Sequence, residues 1–487
     1  MVGVIDRDPL RAAEGPHDLA VIGGGIYGVA MALEATRRGL RPVLLERGDF
    51  GSGTTWNNLR ILHGGLRHLQ RLDLRGARDS VRERRWYLST FPELVQPLAC
   101  LMPLYGRGLR RPGVLRAALR VNEALSADIR ILPVGRVLDP EETARWFPGV
   151  EADGLRGAAL WYDAAMPDSP RLLIEMARWA SAGGATLLNY VEATDLLQQG
   201  GRVVGVRGLD APTGDCLEFR ADVVVNCAGP WSRMVAARFD RDIEELFRPS
   251  LAFNVLLDRA PLAGAALAVE PPEPGSRTYF LSPWKGKVLA GTYHAPRPGG
   301  IAAGPPEGEM IRCFLDDLSA ALPVLELAES DVLRVFWGLL PAASPGTCRL
   351  ALREEIWNHG DAGGPAGLFS VSGVKFTTAR KVADRVLERI YGSTSTPGPA
   401  PRPPSRVPLW EEFEGVLRSD PEAARLTVGR IVEEESVMCL DDLLLRRTDW
   451  GLHPAAPPDV AARIRDLRPE IPAREGAPGL ARNPAHD

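Results

Sequence analysis

Apolar and polar positions near the start of the chain follow a strand, a helix and a second strand in close succession. The apolar runs at 18–23 and 41–46 each have the length of a buried strand. Between them, residues 26–38 carry apolar side chains at helical spacing, and the pattern ends at Gly39. Two short buried strands joined by a helix are typical of a parallel α/β unit.

The rest of the chain alternates between helical and strand patterns. Helical spacing extends over residues 66–88, 171–182, 310–322, 378–390 and 423–447. Strand patterns cover residues 185–190, 202–207, 216–219, 222–227 and much of 255–289. We therefore predict an α/β fold with three parts: a Rossmann-like nucleotide-binding domain, an antiparallel-sheet substrate domain and a small C-terminal helical cap.

The domain boundaries follow from these patterns and from a Pro-rich segment. The polar residues before the first strand predict a loose leader, and the segment STSTPGPAPRPPSRVP predicts a linker. We expect a leader at 1–17, a discontinuous nucleotide-binding domain at 18–105, 155–245 and 335–392, a substrate domain at 106–154 and 246–334, a linker at 393–408, and the cap at 409–487.

Composition and charge argue against several classes of protein. The chain has 58 Lys and Arg against 62 Asp and Glu, so we expect no nucleic-acid partner. No run of 18 apolar residues predicts a membrane-spanning helix, and the first residues are too polar for a secretory signal. The six cysteines are scattered without CxxC spacing, which favours free thiols in a reducing cytoplasm over a disulfide framework or a metal site.

A glycine-rich turn joins the first strand to the first helix. Gly23, Gly25 and Gly28 have GxGxxG spacing, and Glu46 ends the second strand. The first glycine permits a tight turn, the second lets a pyrophosphate approach the backbone, and the third lets the helix pack on the sheet. The helix N-terminus attracts phosphate, and Glu46 can accept hydrogen bonds from an adenosine ribose. The segment therefore predicts a dinucleotide site.

Two later segments favour FAD over NAD as that dinucleotide. Residues 222–232, DVVVNCAGPWS, are a buried strand that ends in small residues, where a ligand can approach closely. Residues 373–380, GVKFTTAR, place a glycine, a lysine and two threonines just before a helix. The residues of both segments are compatible with flavin contacts.

At this point the chain resembles the FAD-dependent glycerol-3-phosphate dehydrogenases, within the larger glycine oxidase and D-amino-acid oxidase group. The resemblance covers residues 18–453. It is carried by GGGIYG (23–28), ILHGGLRHLQ (61–70), DSVRERRWYL (79–88), YDAAMPDSPRLL (162–173), VVVNCAGPWS (223–232), SVSGVKFTTARK (370–381) and DDLLLRRTDWGL (441–452). The HGGLR and DDLLLRRT elements are the specific ones, whereas the glycine turn and AGPW mark only the broader group.

The resemblance implies an enzyme that oxidises glycerol 3-phosphate, or a close polyol phosphate, to the ketone. The electrons pass to FAD and then to a quinone-type acceptor. The resemblance also allows peripheral attachment to the inner face of the membrane, and a homodimer. The basic stretch 107–120 fits an interfacial helix, although Pro112 interrupts it and a helix packed on the core fits as well.

The resemblance assigns site residues position by position. Arginine suits a phosphate because its planar fork makes paired charge-assisted hydrogen bonds. The implied catalytic residues are Arg67, His294, Arg353 and Lys375, and the implied substrate contacts are Arg67, His68, Arg353 and Thr377. The implied cofactor contacts are Gly23, Gly25, Ile26, Gly28, Glu46, Arg47, Thr54, His63, Gly64, Val191, Ala228, Gly229, Trp231, Gly373, Lys375, Phe376 and Thr377. For the arginines the alternative is a surface or structural role. For His63 it is a histidine that holds a loop.

The chain departs from the family pattern at the substrate end. Leu340, in GLLP, stands where the family has a substrate-facing arginine, and Tyr293 and His294 replace the end of Gly-Thr-Thr-Asp. His68 replaces a tyrosine, and Leu59–Arg60 replace a Ser-Lys pair. His294 is a candidate proton acceptor because histidine titrates near neutral pH, and a loop histidine facing solvent is the alternative. These changes leave open a second enzyme hypothesis, oxidation of another small hydroxy or amino compound, and a third hypothesis, a catalytically silent flavoprotein that acts as a binding partner.

Overall fold

The computed structural model describes residues 3–66, 73–106, 110–126, 131–273, 275–302, 304–392 and 407–473. Its first sheet has six strands, which are parallel except for one antiparallel edge strand. The strand order is Glu355–Asn358, Leu368–Ser372, Val224–Asn226, Leu19–Ile22, Pro42–Glu46 and Thr186–Asn189. The predicted strand–helix–strand unit is confirmed, with its helix at Ile26–Arg37.

The two faces of this sheet are covered by different layers, because successive side chains of a strand point to opposite sides. Leu19 and Val21 join the core under helices Ile26–Arg37, Ser169–Ala182 and Ala379–Tyr391. Ala20 and Ile22 face a three-stranded antiparallel sheet. That small sheet consists of Val191–Gln199, Arg202–Asp210 and Cys216–Arg220. The central strands are therefore buried on both faces, which explains their unbroken apolar runs.

A larger sheet of nine strands is mostly antiparallel. Its order is Val332–Pro341, Pro249–Leu257, Lys287–Pro296, Tyr279–Trp284, Ala266–Val269, Gln96–Pro103, Ala158–Ala165 and Ile61–Leu62, with Arg136–Leu138 also paired to Ala158–Ala165. Helix Gly308–Ala321 packs on one face through Phe314 and Leu318. Helix Pro112–Ser126 packs on the other through Leu115 and Leu119.

The remaining helical segments connect these layers. They are Pro9–Glu14, Thr54–Asn57, Leu74–Thr90, Pro140–Trp146, Gly229–Trp231, Ser232–Phe239, Glu244–Leu246, Gly300–Ala302, Pro323–Leu325, Glu329–Asp331 and His359–Ala362. Within the described ranges, no helix combines the length and the apolar character needed to cross a bilayer.

The C-terminal region forms its own small core, as predicted for the cap. Its helices are Trp410–Ser419, Pro421–Glu434, Leu440–Asp442, Leu443–Arg447 and Val460–Leu467. Phe413 stacks on Trp450 with ring centroids 3.7 Å apart, and both side chains are fully buried. Of the predicted linker at 393–408, residues 393–406 lie outside the described residues.

Two expectations about local structure are wrong. Residues 3–17 do not form a loose segment: Ile5 is buried and Arg7 forms an ion pair with Asp210. Pro112 does not interrupt a helix but begins one, because proline has no N–H to lose in the first turn. The domain division stays a prediction. Gln96–Pro103 and Ala158–Ala165, which that division places with the nucleotide-binding domain, are strands of the nine-stranded sheet.

Candidate active site

A single large cavity of about 1340 Å³ extends from the glycine turn to one face of the nine-stranded sheet. One end lies at the carboxyl edge of the parallel strands Leu19–Ile22 and Pro42–Glu46, which is where α/β sheets bind ligands. The other end is lined by Ala252, Asn254 and their cross-strand neighbours. The cavity is larger than most sites for small molecules and has room for an extended cofactor and a substrate.

The glycine turn is shaped by three different close approaches. Gly23 has a φ of 102°, and a Cβ there would lie 2.8 Å from the carbonyl oxygen of Cys227. A Cβ on Gly28 would lie 1.8 Å from the carbonyl oxygen of Gly23, so this glycine lets the helix pack on the strand. A Cβ on Gly25 would approach only the hydroxyl of Thr55, at 3.2 Å. Gly25 therefore faces open space at the helix N-terminus.

Glu46 is fixed at the end of the second strand by two backbone amides. Gly24 N–H donates to one carboxylate oxygen at 2.6 Å, and Gly48 N–H donates to the other at 2.8 Å. Burial raises the pKa of the Glu46 carboxyl, and these two hydrogen bonds oppose that rise. Each oxygen keeps a lone pair for a ribose hydroxyl. Beside it, the Arg47 guanidinium lies 4.4 Å from the ring centre of Trp231.

These residues fit the adenosine and pyrophosphate half of a dinucleotide. The helix N-terminus at Gly25 is open, Glu46 is oriented for a ribose, and Ala228 and Gly229 leave space at the end of strand Val224–Asn226. A helix N-terminus without a covering side chain binds phosphate through its free amides.

His63 and Asp163 form a dyad in the wall of the cavity. His63 Nδ1 lies 3.1 Å from Asp163 Oδ2, and its ring packs on Phe280 at 5.0 Å. Asp163 also accepts hydrogen bonds from Gly64 N–H and from Arg84 Nη1, each at 2.7 Å. Although burial opposes it, the hydrogen bond from His63 and the nearby positive charges hold the pKa of Asp163 well below its usual value.

The opposite wall is the cavity face of the nine-stranded sheet. Thr292 donates its hydroxyl to Asn254 Oδ1 at 2.8 Å, and Asn254 Nδ2 donates to the carbonyl of Asn57 at 2.9 Å. These bonds, with one from the Thr54 hydroxyl to the carbonyl of Leu339 at 3.2 Å, hold the segment Thr54–Asn57 against the sheet.

Strand alternation decides which of the unusual residues reach the cavity. His294 pairs with Ala252, and Leu340 pairs with Ser250, so His294 and Leu340 flank strand Pro249–Leu257 on the cavity side. Tyr293 points the other way and packs on Phe253 at 5.0 Å. Tyr293 therefore belongs to the core and not to the site.

The segment that follows strand Leu368–Ser372 brings Lys375 and Thr377 to the cavity. Tyr27 fixes it, because its hydroxyl donates to the carbonyl of Lys375 at 2.8 Å and accepts from the Lys375 amide at 3.1 Å. Arg353 lines the same part of the cavity with an exposed side chain.

The structure brings most of the predicted site residues to one cavity. These are Gly23, Gly25, Ile26, Glu46, Arg47, Thr54, His63, Ala228, Gly229, Trp231, His294, Arg353, Gly373, Lys375, Phe376 and Thr377. Gly28, Gly64 and Val191 do not reach the wall: Gly28 packs against Gly23, Gly64 donates to Asp163, and the Val191 side chain is buried in the core beside lining residues Glu192 and Ala193. Arg67 and His68 lie outside the described residues.

The sequence interpretation did not identify Asp163, Asn254 or Thr55 as parts of the site. Asp163 and Asn254 are polar residues inside otherwise apolar strands, AALWYDAA and PSLAFNVLL. A buried polar residue in such a run needs a partner, and that was the available signal.

Comparisons with known proteins match this architecture. The family model for FAD dependent oxidoreductase matches residues 18–379. A glycerol-3-phosphate dehydrogenase from Synechocystis is 30% identical, over 81% of this chain and 73% of that protein. Glycerol-3-phosphate dehydrogenase 1 from Mycobacterium tuberculosis is 30% identical over 93% and 95%. A crystal structure of glycerol-3-phosphate dehydrogenase from Bacillus halodurans with FAD has a TM-score of 0.69 at 21% identity, over 94% and 90%.

Proposed function

Because this chain belongs to the FAD dependent oxidoreductase family, we propose that it oxidises glycerol 3-phosphate, or a close polyol phosphate, to the ketone dihydroxyacetone phosphate. It is an FAD-dependent oxidoreductase. The observation that carries the proposal is one cavity that joins a nucleotide site, a histidine–aspartate dyad and a cationic end. The 30% identity to glycerol-3-phosphate dehydrogenases over most of the chain favours this substrate over another small hydroxy or amino compound.

FAD, when bound, accepts the hydride from the substrate carbon. Gly25, Glu46 and Trp231 would hold its adenosine and pyrophosphate half, and Gly373 to Thr377 would contact its ring system. The remaining chemistry is the removal of the hydroxyl proton and the binding of the phosphate.

We propose that His63 Nε2 accepts the hydroxyl proton. Asp163 binds Nδ1, so the other ring nitrogen carries the lone pair, and among the described residues Nε2 makes no hydrogen bond. The buried Asp163 carboxylate stabilises the imidazolium that results, as an orienting carboxylate does in a catalytic triad. His294, the acceptor predicted from the sequence, lines the same cavity and stays the alternative.

Arg353, Lys375 and Thr377 are proposed to bind the phosphate group of the substrate. Arg353 and Lys375 present exposed cationic side chains at this end of the cavity. A phosphate dianion gains most from donors of this kind, because charge-assisted hydrogen bonds are shorter and stronger than neutral ones. The resemblance adds Arg67 and His68 to this group.

We also propose a quinone-type electron acceptor and peripheral contact with the inner face of the membrane. Helix Pro112–Ser126 supports the membrane contact because Val114 and Val121 are exposed on it together with Arg116 and Arg120. Vesicles with anionic lipids should retain the protein, and Arg116→Glu with Arg120→Glu should release it. Equal retention of both proteins would contradict the proposal. A homodimer stays a prediction.

The test of the reaction is anaerobic reduction of the purified holoenzyme. Glycerol 3-phosphate should bleach the flavin absorption band within one catalytic turnover, and the ketone should appear in equal amount. Bleaching only by other hydroxy or amino compounds would favour the second enzyme hypothesis. Absence of bleaching with a broad panel of such compounds, in protein that retains FAD, would favour the silent flavoprotein.

A further inference from the structure

Three residues that the family resemblance does not assign lie on the cavity wall near Leu340. They are Arg277, Cys348 and Arg349. We propose that Arg277, held by Cys348 and assisted by Arg349, forms an anion subsite that supplies the positive charge missing at Leu340. This inference rests on the proposed function, because it names the group that binds the substrate phosphate.

The chain brings Cys348 and Arg349 back to the strand end that carries Leu340. Strand Val332–Pro341 ends beside Ser250, and the next residues fold over it. Ala343 N–H donates to the carbonyl of Arg349 at 2.7 Å, and Ala351 N–H donates to the carbonyl of Pro341 at 2.9 Å. Each of these two hydrogen bonds joins a residue before Cys348 to a residue after it. Together they close the loop that carries Cys348.

Arg277 approaches the same loop from a different segment, just before strand Tyr279–Trp284. Its Nη2 lies 2.8 Å from the Cys348 sulfur and 3.5 Å from the Cys348 carbonyl oxygen. Within the described part of the chain, Nε and Nη1 of Arg277 make no hydrogen bond and no carboxylate pairs with it. Several buried arginines among the described residues pair with a carboxylate, including Arg84, Arg171 and Arg446.

Glu270, a carboxylate on the cavity wall, is already engaged. Glu270 follows strand Ala266–Val269, forms an ion pair with Arg110 and accepts a hydrogen bond from the Thr278 hydroxyl at 2.5 Å. Arg277 therefore keeps its positive charge and two donor atoms for a ligand. A half-buried guanidinium without a protein carboxylate is suited to a phosphate, because its planar fork makes two parallel hydrogen bonds to it.

Leu340 explains why the subsite is needed at this position. Its side chain shares the cavity wall with Arg349 and Arg277 but carries neither charge nor donor. The guanidinium of Arg277 reaches the loop that follows this strand through its contact with Cys348.

The experiment compares Arg277→Gln, Arg277→Lys and Arg349→Gln in the holoenzyme, with Arg312→Gln as the matched control. Arg312 is an exposed arginine paired with Glu329 outside the cavity wall. Loss of a charge-assisted contact should raise KM for glycerol 3-phosphate about 10- to 100-fold in Arg277→Gln. The Arg349→Gln effect should be smaller, and Arg277→Lys should recover part of the loss. For glycerol, which has no phosphate, kcat/KM should be unchanged.

A second arm uses Leu340→Arg. In the Arg277→Gln background this change should restore most of the lost affinity, whereas in the wild-type background it should add little. An Arg277→Gln enzyme with KM within twofold of wild type would overturn the subsite, and so would failure of Arg277→Gln to differ from Arg312→Gln.

Inorganic phosphate separates this inference from the proposed function. Its binding to the holoenzyme is measured by titration calorimetry, without turnover, and should weaken about tenfold or more in Arg277→Gln. If wild-type flavin is not reduced by glycerol 3-phosphate but phosphate binding still depends on Arg277, the proposed function fails and the anion subsite stands. If wild type turns over glycerol 3-phosphate and phosphate binding is equal in both proteins, the subsite fails alone.

Discussion

Arg447 donates two hydrogen bonds to the two carboxylate oxygens of Asp49, from Nη1 at 2.6 Å and from Nη2 at 2.7 Å. Both side chains are buried, and Arg446 also binds Asp49. Although burial opposes it, the two guanidinium groups hold the pKa of Asp49 well below its usual value. Asp49 lies in the segment that follows Glu46, so these bonds join the helical cap directly to that segment. A second buried pair, Arg171 with Glu435 at 2.7 Å, joins the cap to helix Ser169–Ala182.

We expect Arg447→Ala to destabilise the holoenzyme by about 3–5 kcal/mol, because it leaves the Asp49 charge buried without its bidentate partner. Urea unfolding followed by flavin fluorescence measures the effect. The matched control is Arg425→Ala, which removes an exposed pair with Glu422 and should change the unfolding free energy by less than about 1 kcal/mol. Equal stabilities of the two variants would show that the cap does not depend on this pair.

Gly25 and Gly28 should respond to substitution in different ways. Gly25→Val should abolish FAD retention in a protein that still folds, because the side chain would occupy open space at the helix N-terminus and meet only Thr55. Gly28→Ala should destabilise the fold itself, because its Cβ would overlap the carbonyl oxygen of Gly23. Flavin content and circular dichroism separate the two effects.

Gly15→Ala is the control for both variants, since a Cβ there meets nothing within 4 Å. It should keep normal flavin content and a normal unfolding transition. Full flavin content in Gly25→Val would remove this glycine from the cofactor site.

The two cavity histidines should differ in their effect on turnover. We expect His63→Gln to lower kcat by about 100- to 10,000-fold, as for loss of a general base, because the Asp163 carboxylate orients His63. His294→Gln should act mainly on KM. His453→Gln, outside the cavity wall, is the control. The opposite ranking, with the large loss of kcat in His294→Gln, would return the proton-accepting role to His294.

The nucleotide half of the site could be predicted from the sequence because its parts are close in the chain. Gly23, Gly28 and Glu46 lie within two dozen residues, and a strand and a helix fix their relative positions. The partners His63 and Asp163 are 100 positions apart, and Arg447 and Asp49 are 398 apart. Local spacing carries no information about such contacts, since the pairing of distant strands and the docking of the cap create them.

Strand alternation also explains why His294 lines the cavity and Tyr293 does not. A one-residue step along strand Lys287–Pro296 separates His294 on the cavity side from Tyr293 in the core. The sequence interpretation placed both at the site because the register of this strand was not known. The register became visible only in its pairing with Pro249–Leu257.

Asp163 should make the stability of the fold depend on pH. An aspartate in an unfolded chain has a pKa of about 3.9, whereas the surroundings of Asp163 hold its pKa in the folded protein well below that value. A depressed carboxyl pKa means that the ionised group stabilises the fold at pH values above the unfolded pKa. This stabilisation is lost as the pH falls through about 4 towards the folded pKa, because protons then bind the unfolded chain first. The difference in unfolding free energy between wild type and Asp163→Asn should therefore shrink as the pH falls below about 4. Urea unfolding of both holoenzymes at several pH values, with FAD held at one concentration, measures this difference. A difference that is the same at about pH 3.5 and about pH 7 would show that the carboxylate of Asp163 contributes no charge-dependent stability.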